Sequence, residues 1–396
     1  MQLIRELGLE GEVISSNDHE RVTYIWKDGR LIAMPDGLMM MVPTKILPMT
    51  VSPLLSWGTK IRMGFELLRR PPAAPRADRS VAEFIRDHYG QETVDYLAEP
   101  LLAGVYGGDP EELSVGATLQ RFVEMENKYG SLTRGTLEAK RKAPPPGAGG
   151  GGGGALFRTL KGGMGQLVNA LAARLEGKVR ILTGEATGLA RDGQIWRLRV
   201  SGGAVDADHV ILATPAWQAA ALLRGVDAEV ADLLDQVGYN SSMTIALGYR
   251  AAEAKHAYPG FGFLVPKVER QFLAAATFVG TKFSHRVPPD LSLVRCFAGG
   301  EAKLALSDEE VVRQARADLE RILGLRAEPI FTQITRWPRS MAQYRVGHAA
   351  RMATLLEKAG RIPGLSLAGN AYQGIGIPDC IQSGQQAAQA STLGSH

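Results

Sequence analysis

The spacing of apolar residues changes along this chain and predicts parts of different structure. Between residues 53 and 130, in stretches such as "SVAEFIRDHYG" and "LQRFVEMENKYG", apolar residues recur at the spacing of one helix face. Alternating or continuous apolar runs bounded by turn residues, such as "SMTIALGYR", "GFGFLVP" and "SLVRCFAGG", predict a β-sheet between 238 and 300. The pattern of residues 308–324 predicts one further amphipathic helix.

The remaining parts alternate between the two periodicities. Residues 21–26 and 29–34 predict two strands that turn at Asp28–Gly29, and residues 1–8 predict a helix that ends at Gly8. Residues 165–178 predict a helix, and "VRILTG", "IWRLRV" and "HVILATP" predict strands after it. This order predicts an α/β layer.

The chain closes with a strand-like run, "LSLAG", a glycine-rich turn and a helix, in "AGNAYQGIGIPDCIQSGQQAA". A glycine-rich turn before a helix is suited to an anion, since free backbone N–H groups and the helix dipole both point there. Gly374 and Gly376 would equally serve a tight turn with close backbone packing. These residues alone leave both interpretations open.

Composition and charge exclude several classes of protein. The 396 residues carry a net charge of +4 without a basic block interleaved with aromatic residues, so we expect no nucleic-acid partner. Two cysteines and seven histidines show neither disulfide nor metal-ligand spacing. The sequence shows no spanning segment or signal peptide, which predicts a cytoplasmic protein.

Two segments have unusual composition. Residues 143–155, "APPPGAGGGGGGA", are of low complexity and predict a flexible surface loop. Residues 31–57 are rich in methionine and leucine and are interrupted by prolines. This composition fits either a cover over an apolar cavity or a membrane-surface patch, and it favours the cover.

Four stretches of the chain resemble the protoporphyrinogen oxidase branch of the flavin amine-oxidase superfamily. They are "AGVYGGDPEELSVGATLQRF", "GFGFLVP" followed by "FAGG", "RWPRSMAQYRVGH" and "LAGNAYQGIGIPDCIQSG", and the last is highly specific. The similarity runs from residue 3 to residue 390. It implies a doubly wound α/β domain that binds FAD, a β-sheet domain that binds substrate and a helical, membrane-proximal domain.

The resemblance also implies domain boundaries. Residues 1–18, 156–237 and 346–396 would belong to the FAD-binding domain, 19–50 and 238–345 to the substrate domain, and 51–142 to the helical domain. The family begins with a strand, a GxGxxG turn and a helix that hold the FAD pyrophosphate, and this chain lacks that unit. We therefore expect either a start codon placed too far downstream or a truncated gene.

Several residues match cofactor positions of the family. Gly369 and Asn370 would lie near the flavin, and the backbone of Ile375, Gly376 and Ile377 would face it. Asp379 would cap the helix that follows. The strand at Ala186 would bind the adenine and Trp337 would pack near the flavin; a plain sheet strand and a core tryptophan are the alternatives.

Other residues match substrate positions. The substrate would be a porphyrinogen, an apolar macrocycle with propionate groups, which needs an apolar slot with cations at its rim. Arg21 would pair with a propionate, and Phe261, Leu264 and Phe297 would contact the rings. The backbone at Gly104 would accept a proton, while a solvated arginine, core residues and a helix end are the alternatives.

The implied reaction is three successive hydride transfers to FAD, with molecular oxygen as acceptor and protoporphyrinogen IX as substrate. Coproporphyrinogen III is the near alternative, and an inactive porphyrin-binding module is the alternative from another class. Other superfamily members, such as amine oxidases and carotenoid desaturases, fit the "YGGDPEELS" and "DCI" stretches less well. The resemblance also allows contact with the cytoplasmic membrane and a homodimer.

Overall fold

A computed structural model describes residues 1–142, 157–254 and 258–393 of the chain. The predicted loop at 143–155 lies outside the described residues. The strands are β1 Val13–Ser15, β2 Thr23–Lys27, β3 Arg30–Ala33, β4 Leu38–Met39, β5 Val42–Pro43, β6 Arg158–Leu160, β7 Ala186–Asp192, β8 Ile195–Val200, β9 Gly203–Ala207, β10 Val210–Leu212, β11 Gly238–Arg250, β12 Gly262–Leu264, β13 Ala275–Phe278, β14 Leu291–Gly299, β15 Phe331–Gln343 and β16 Leu365–Leu367.

The helices are α1 Gln2–Glu6, α2 Ile46–Val51, α3 Trp57–Glu66, α4 Val81–Tyr89, α5 Gln91–Thr93, α6 Glu99–Tyr106, α7 Val115–Thr118, α8 Gln120–Tyr129, α9 Leu132–Lys142, α10 Gly165–Leu175, α11 Ala216–Leu223, α12 Ala228–Asp235, α13 Val279–Lys282, α14 Glu301–Leu304, α15 Asp308–Leu323, α16 His348–Gly360 and α17 Ile377–Leu393. A π-helical turn at Val94–Ala98 joins α5 to α6. The predicted fold class, a mixed α/β protein, is confirmed.

A mixed sheet in the order β15-β11-β14-β13-β12-β2-β3 forms the centre of the described structure. The hairpin predicted at Asp28–Gly29 is present, and both residues have positive φ values of 51° and 74°, as a tight two-residue hairpin turn requires. Strand β12 lies between parallel β2 and antiparallel β13, so it is central in this sheet.

The two faces of the central sheet pack against different helices. Tyr24 and Trp26 belong to a core that α15 completes, whereas Ile25, between them on β2, belongs to the core of the helical layer. This alternation follows from the two-residue repeat of a strand. The predicted helix 308–324 is α15, which Ser307 caps at its start and Gly324 ends in the left-handed conformation.

Helices α2 to α9 form the helical layer, as the apolar spacing predicts. Part of the methionine-rich segment is buried there, including Met41, Met49 and Leu54. Leu47 and Val51 on α2 are instead exposed by 73% and 72%. The segment therefore covers the helical core with one side and leaves apolar side chains on the surface with the other.

A buried charge network joins three helices of this layer. The ring of His88 lies between two carboxylates, with Nδ1 2.9 Å from Oε1 of Glu66 and Nε2 3.2 Å from Oε1 of Glu126. Glu66 also accepts hydrogen bonds from the hydroxyl of Ser131 at 2.8 Å and from the backbone N–H of Leu132 at 2.6 Å. The network ties α3, α4 and α8 to the start of α9.

A third unit contains the parallel pair β10–β16 and the antiparallel sheet β7-β8-β9, with α11, α12 and α16 packed on them. The strand predicted at 179–184 is wrong: these residues form no strand, and Val179, Ile181 and Leu182 are largely exposed. A strand needs a paired neighbour to satisfy its backbone, and no described strand lies beside this segment.

Candidate functional site

The carboxyl ends of two parallel strands meet at one edge of the third unit. Strands β10 and β16 pair in register, with Leu212 opposite Leu367. Thr214 therefore follows one strand where Gly369 and Asn370 follow the other. In α/β folds ligands bind at such strand ends, so this edge is the first part of the candidate site.

The glycine-rich turn that follows β16 is held by the helix it precedes. The carboxylate of Asp379, in the first turn of α17, accepts the N–H of Gly376 at 3.0 Å. Gly374 has a φ of 98°, and a Cβ on it would lie 2.5 Å from Cγ of Asp379. The N–H of Gly369 is bonded to the hydroxyl of Ser383 at 3.1 Å. Close packing thus fixes the turn, while Ile377 stays half exposed at its end.

Three buried polar atoms near these strand ends have no hydrogen-bond partner among the described residues. They are the hydroxyl oxygens of Thr214 and Tyr372 and the indole nitrogen of Trp217. Tyr372 and Asp379 also line a cleft of about 1180 Å³ that runs along β16, α16 and α17. Buried polar groups are normally satisfied, so these atoms indicate the place of a polar ligand.

The second part of the site is the face of the central sheet that α15 does not cover. Leu264, Ala275, Phe297 and Thr244 lie opposite one another across four adjacent strands, so they share this face. Trp337 is on the same face, with its indole nitrogen 3.5 Å from the hydroxyl of Thr244. We call this row of side chains the slot face.

Helix α6 stands over one end of the slot face. An ideal Cβ on Gly104 would lie 4.0 Å from Cδ2 of Leu264, so Gly104 and Leu264 face each other without a side chain between them. The end of α6 is fixed on β15 and β11, since Gln343 donates to the carbonyl of Tyr106 at 2.9 Å and Asn240 donates to that of Gly107 at 2.7 Å.

Two tyrosines connect the slot face with the strand ends. Tyr344, just after β15, donates to the carbonyl of Asn370 at 2.8 Å. Burial raises the pKa of Tyr106, and the negative charge of Asp379 raises it further. The structure therefore brings Gly104, and Leu264 opposite it, close to the turn at 369–379, while Trp337 lies on β15 seven residues before Tyr344.

Phe261 and Arg21 lie where β12 and β2 begin. Along β12 this is the end opposite to Leu264 and α6. The N–H of Phe261 donates to the carbonyl of Val22 at 2.8 Å, and Arg21 precedes Val22 as an exposed residue. Phe261 is buried. The structure thus places these two predicted substrate residues next to each other.

Ala186 is the predicted cofactor residue that stands furthest from this grouping. It begins β7 and pairs with Val200 at the end of the three-stranded sheet. Strand β7 packs against α11, the helix that starts just after Thr214. Through this packing, the strand that Ala186 begins is connected to the strand ends at Thr214.

Sequence reasoning missed Thr214, Trp217 and Tyr372. The segment "HVILATP" predicts a strand, and the carboxyl end of such a strand is where ligands bind in α/β folds, which is the signal that marks Thr214. It also missed Arg339, which lies 4.4 Å from the ring of Trp217 and has an unusual φ of 43° opposite an irregularity in β11. Strained residues of this kind gather at binding sites.

The fold is that of a known family. Residues 1–391 match the model of the flavin containing amine oxidoreductases, so the chain belongs to this family. Membership makes FAD the cofactor, as predicted.

The chain is similar to porphyrinogen oxidases within that family. It is 32% identical over 392 residues to coproporphyrinogen III oxidase of Bacillus subtilis, covering 98% of this chain and 82% of the relative. It is 28% identical over 414 residues to protoporphyrinogen oxidase of Homo sapiens, covering 99% and 84%. A solved structure from Exiguobacterium sp. 255-15, proposed to be a protoporphyrinogen oxidase, has a TM-score of 0.84 at 29% identity and covers 99% of this chain and 83% of its own.

The residues present fit one end of FAD. The unpartnered atoms of Thr214, Trp217 and Tyr372 would be available for polar contacts with it, and the turn at 369–377 would offer backbone groups. Among the described residues, no strand, glycine-rich turn and helix of the dinucleotide-binding type follow one another to hold a pyrophosphate. The described residues also contain no cluster suited to a metal ion.

Proposed function

We propose that this chain is a porphyrinogen oxidase that binds its macrocycle on the slot face and uses FAD as oxidant. The observation that carries the proposal is the junction of the slot face with the strand ends through Tyr344 and Asn370. When bound, FAD would accept a hydride in each of three oxidations and pass the electrons to molecular oxygen, which is reduced to hydrogen peroxide.

The residues of this chain have separate tasks in the proposed reaction. Leu264 and Phe297 would contact the ring system, Trp337 would close the flavin side, and Arg21 would hold a propionate group beside Phe261. Gly104 leaves room for the macrocycle, and a backbone carbonyl near it would take a proton. Gly369, Asn370, Ile375, Gly376 and Ile377 would line the flavin, with Ala186 near the adenine and Asp379 fixing the turn.

We propose coproporphyrinogen III as the substrate, ahead of protoporphyrinogen IX. Relatives named coproporphyrinogen III oxidase support this choice, including one from Propionibacterium freudenreichii that is 33% identical over 422 residues. The resemblance of the sequence points first to protoporphyrinogen IX. The curated relatives named protoporphyrinogen oxidase are 28% identical or less among those compared, and the Exiguobacterium structure proposed to be one is 29% identical.

A glycine substitution tests the slot. Gly104→Leu would add a branched side chain where a Cβ already touches Leu264, so it would block the macrocycle. We expect oxidation of coproporphyrinogen III by the FAD-reconstituted protein, followed by porphyrin fluorescence, to fall roughly a hundredfold. The flavin absorption bands retained after desalting should be unchanged.

Gly64→Leu is the matched control, since Gly64 also lies in a helix and a Cβ on it would meet no atom within 4 Å. It should oxidise the substrate as the unmodified chain does. Equal activity of the two variants would refute the proposal that the macrocycle binds on the slot face beside Gly104. Failure of the unmodified chain, with FAD bound, to oxidise either porphyrinogen would refute the proposed function.

We also propose that α2 and α3 contact an anionic membrane surface. Trp57, Ile61, Phe65 and Leu68 recur along α3 and just beyond it at one-face spacing and are 57–73% exposed. Residues 45–70 contain five basic residues and one acidic residue, the buried Glu66. An apolar helix face with basic flanks is typical of interfacial membrane binding. No described helix is long and apolar enough to cross a bilayer.

A vesicle assay tests this surface. The partition coefficient of Ile61→Ser/Phe65→Ser into vesicles of phosphatidylcholine mixed with phosphatidylglycerol should be at least about tenfold lower than that of the unmodified chain. Two large side chains then no longer enter the lipid. Ile330→Ser/Phe331→Ser is the control, as these residues are exposed near β15. Equal sedimentation of the two variants would contradict the proposal.

A further inference from the structure

Three basic side chains gather beside the aromatic residues of the slot. Lys282 ends α13, Arg286 follows it in a short 3₁₀ turn, and Arg295 is on β14. The ammonium of Lys282 lies 5.6 Å from the ring of Phe261, and the guanidinium of Arg295 lies 5.2 Å from the ring of Phe297. We call Lys282, Arg286 and Arg295 the basic cluster.

The register of the central sheet explains this position. Arg295 and Phe297 are two residues apart on β14, so both side chains point to the slot face. Lys282 is held by the pairing of its carbonyl with the N–H of Asn17, just before the hairpin that carries Arg21. The basic cluster and Arg21 therefore lie around the same end of the slot.

The charges of the basic cluster are not neutralised within the described structure. None of its members forms an ion pair with a described carboxylate; Asp18 acts on Lys282 from a longer distance. Burial lowers the pKa of Lys282, and the positive charge of Arg295 lowers it further. Desolvation likewise lowers the pKa of Arg295, although the residue as a whole is exposed, and the positive charge of Arg286 adds to the effect.

One buried donor of the cluster is unused. Arg286 donates through Nη2 to the carbonyl of Leu160 at 2.7 Å and to the hydroxyl of Thr159 at 3.3 Å. Its Nε is buried and has no partner among the described residues. An anion bound between these like charges would reduce their repulsion and could accept a hydrogen bond from the unused Nε of Arg286.

We propose that Lys282, Arg286 and Arg295 bind carboxylate groups of the macrocycle and make the slot selective for a tetrapyrrole with four carboxylates over one with two. This inference rests on the proposed function, since it takes the slot face to be the porphyrin site. Four propionates leave some carboxylates beyond the reach of Arg21, and the basic cluster receives them on the side of Phe261 and Phe297.

Equilibrium binding of two fluorescent porphyrins tests the proposal without turnover. Coproporphyrin III carries four carboxylates and protoporphyrin IX carries two, and both are stable products. Arg295→Met and Lys282→Met should each weaken coproporphyrin III binding about tenfold, the value of one charge-assisted hydrogen bond. Protoporphyrin IX binding should weaken less than about threefold, because fewer carboxylates reach the cluster.

Arg250→Met is the matched control, because Arg250 is an exposed arginine at the far end of β11 in the same sheet. It should bind both porphyrins as the unmodified chain does. Equal weakening for both porphyrins, or none, would overturn the proposal while leaving the proposed function intact. Loss of FAD binding without loss of porphyrin binding would also overturn it, assigning the cluster to the phosphates of the cofactor.

A different result would count against the proposed function itself. If the unmodified chain binds neither porphyrin and oxidises neither porphyrinogen, both proposals fail together. If it binds coproporphyrin III more tightly than protoporphyrin IX and only the cluster variants remove that preference, the basic cluster is the selective element.

Discussion

Replacing Glu66 by glutamine should lower the free energy of unfolding by roughly 3–5 kcal/mol, the usual cost of removing one partner from a buried ion pair. Glu66 and His88 are each only 2% exposed, so water cannot take the place of the lost charge. Each ring nitrogen of His88 lies within hydrogen-bond distance of a carboxylate oxygen, Nδ1 beside Glu66 and Nε2 beside Glu126. In the variant the imidazole keeps one carboxylate neighbour, Glu126. Denaturant unfolding followed by circular dichroism measures the change.

Two further variants isolate the effect. Glu357→Gln removes a carboxylate from an exposed pair with Arg361, and it should cost less than about 0.5 kcal/mol. Glu66→Gln/His88→Gln should be less destabilised than the sum of its single variants, because both partners of the same buried hydrogen bond are removed together. A Glu66→Gln variant as stable as Glu357→Gln would show that the buried charges contribute nothing.

The network also makes the stability dependent on pH. Burial raises the pKa of Glu66, but hydrogen bonds from His88, Ser131, Thr133 and Leu132 outweigh it, and the pKa is lowered overall. The pKa of Glu126 is lowered in the same balance, with His88 and Arg79 opposing burial. A carboxylate whose pKa is lowered by folding stabilises the fold at pH values above its pKa in the unfolded chain, about 4.3. This contribution is lost as the pH falls through its pKa in the folded chain. The unmodified chain should therefore lose more stability than Glu66→Gln below about pH 4.

Local sequence patterns predicted the elements that rest on local physics. Helix α15 follows from its apolar spacing, with a serine cap and a terminal glycine, and the hairpin follows from Asp28–Gly29. The predicted strand at 179–184 failed because a strand depends on a neighbour, which its own residues do not encode. Periodicity thus predicted elements more reliably than their pairing.

The candidate site likewise has a part that local sequence predicts and a part that only tertiary packing brings together. The turn at 369–379 could be found from its glycines and the following helix, and the resemblance supplied individual residues. The basic cluster could not be found, because Lys282 and Arg295 become neighbours only through the packing of α13 on β14. No local pattern marks the unpartnered Nε of Arg286 either, since burial and hydrogen bonding are properties of the assembled fold.

Substitution of Gly262, in the segment "GFGF" at the start of β12, should have the second large effect on stability. A Cβ on Gly262 would lie 1.9 Å from the carbonyl oxygen of Ala276 and 2.9 Å from Cα of Thr277, and Gly262 has a φ of 137°. Strand β12 cannot move away from β13, because β2 pairs with it on the other side. Gly262→Ala should therefore lower the free energy of unfolding by roughly 3–5 kcal/mol, from backbone strain and overpacking together.

Gly299→Ala is the matched control in the same sheet, since a Cβ there would meet the carbonyl oxygen of Ser241 at an ordinary 3.6 Å. It should change the stability by less than about 0.5 kcal/mol. Gly262 directly follows Phe261 and lies two residues before Leu264, so displacement of β12 should also abolish coproporphyrin III binding, even where the variant is still folded. A Gly262→Ala variant that unfolds like Gly299→Ala and binds the porphyrin normally would mean that β12 has freedom to shift. The slot face would then not be fixed by the close approach of β12 to β13.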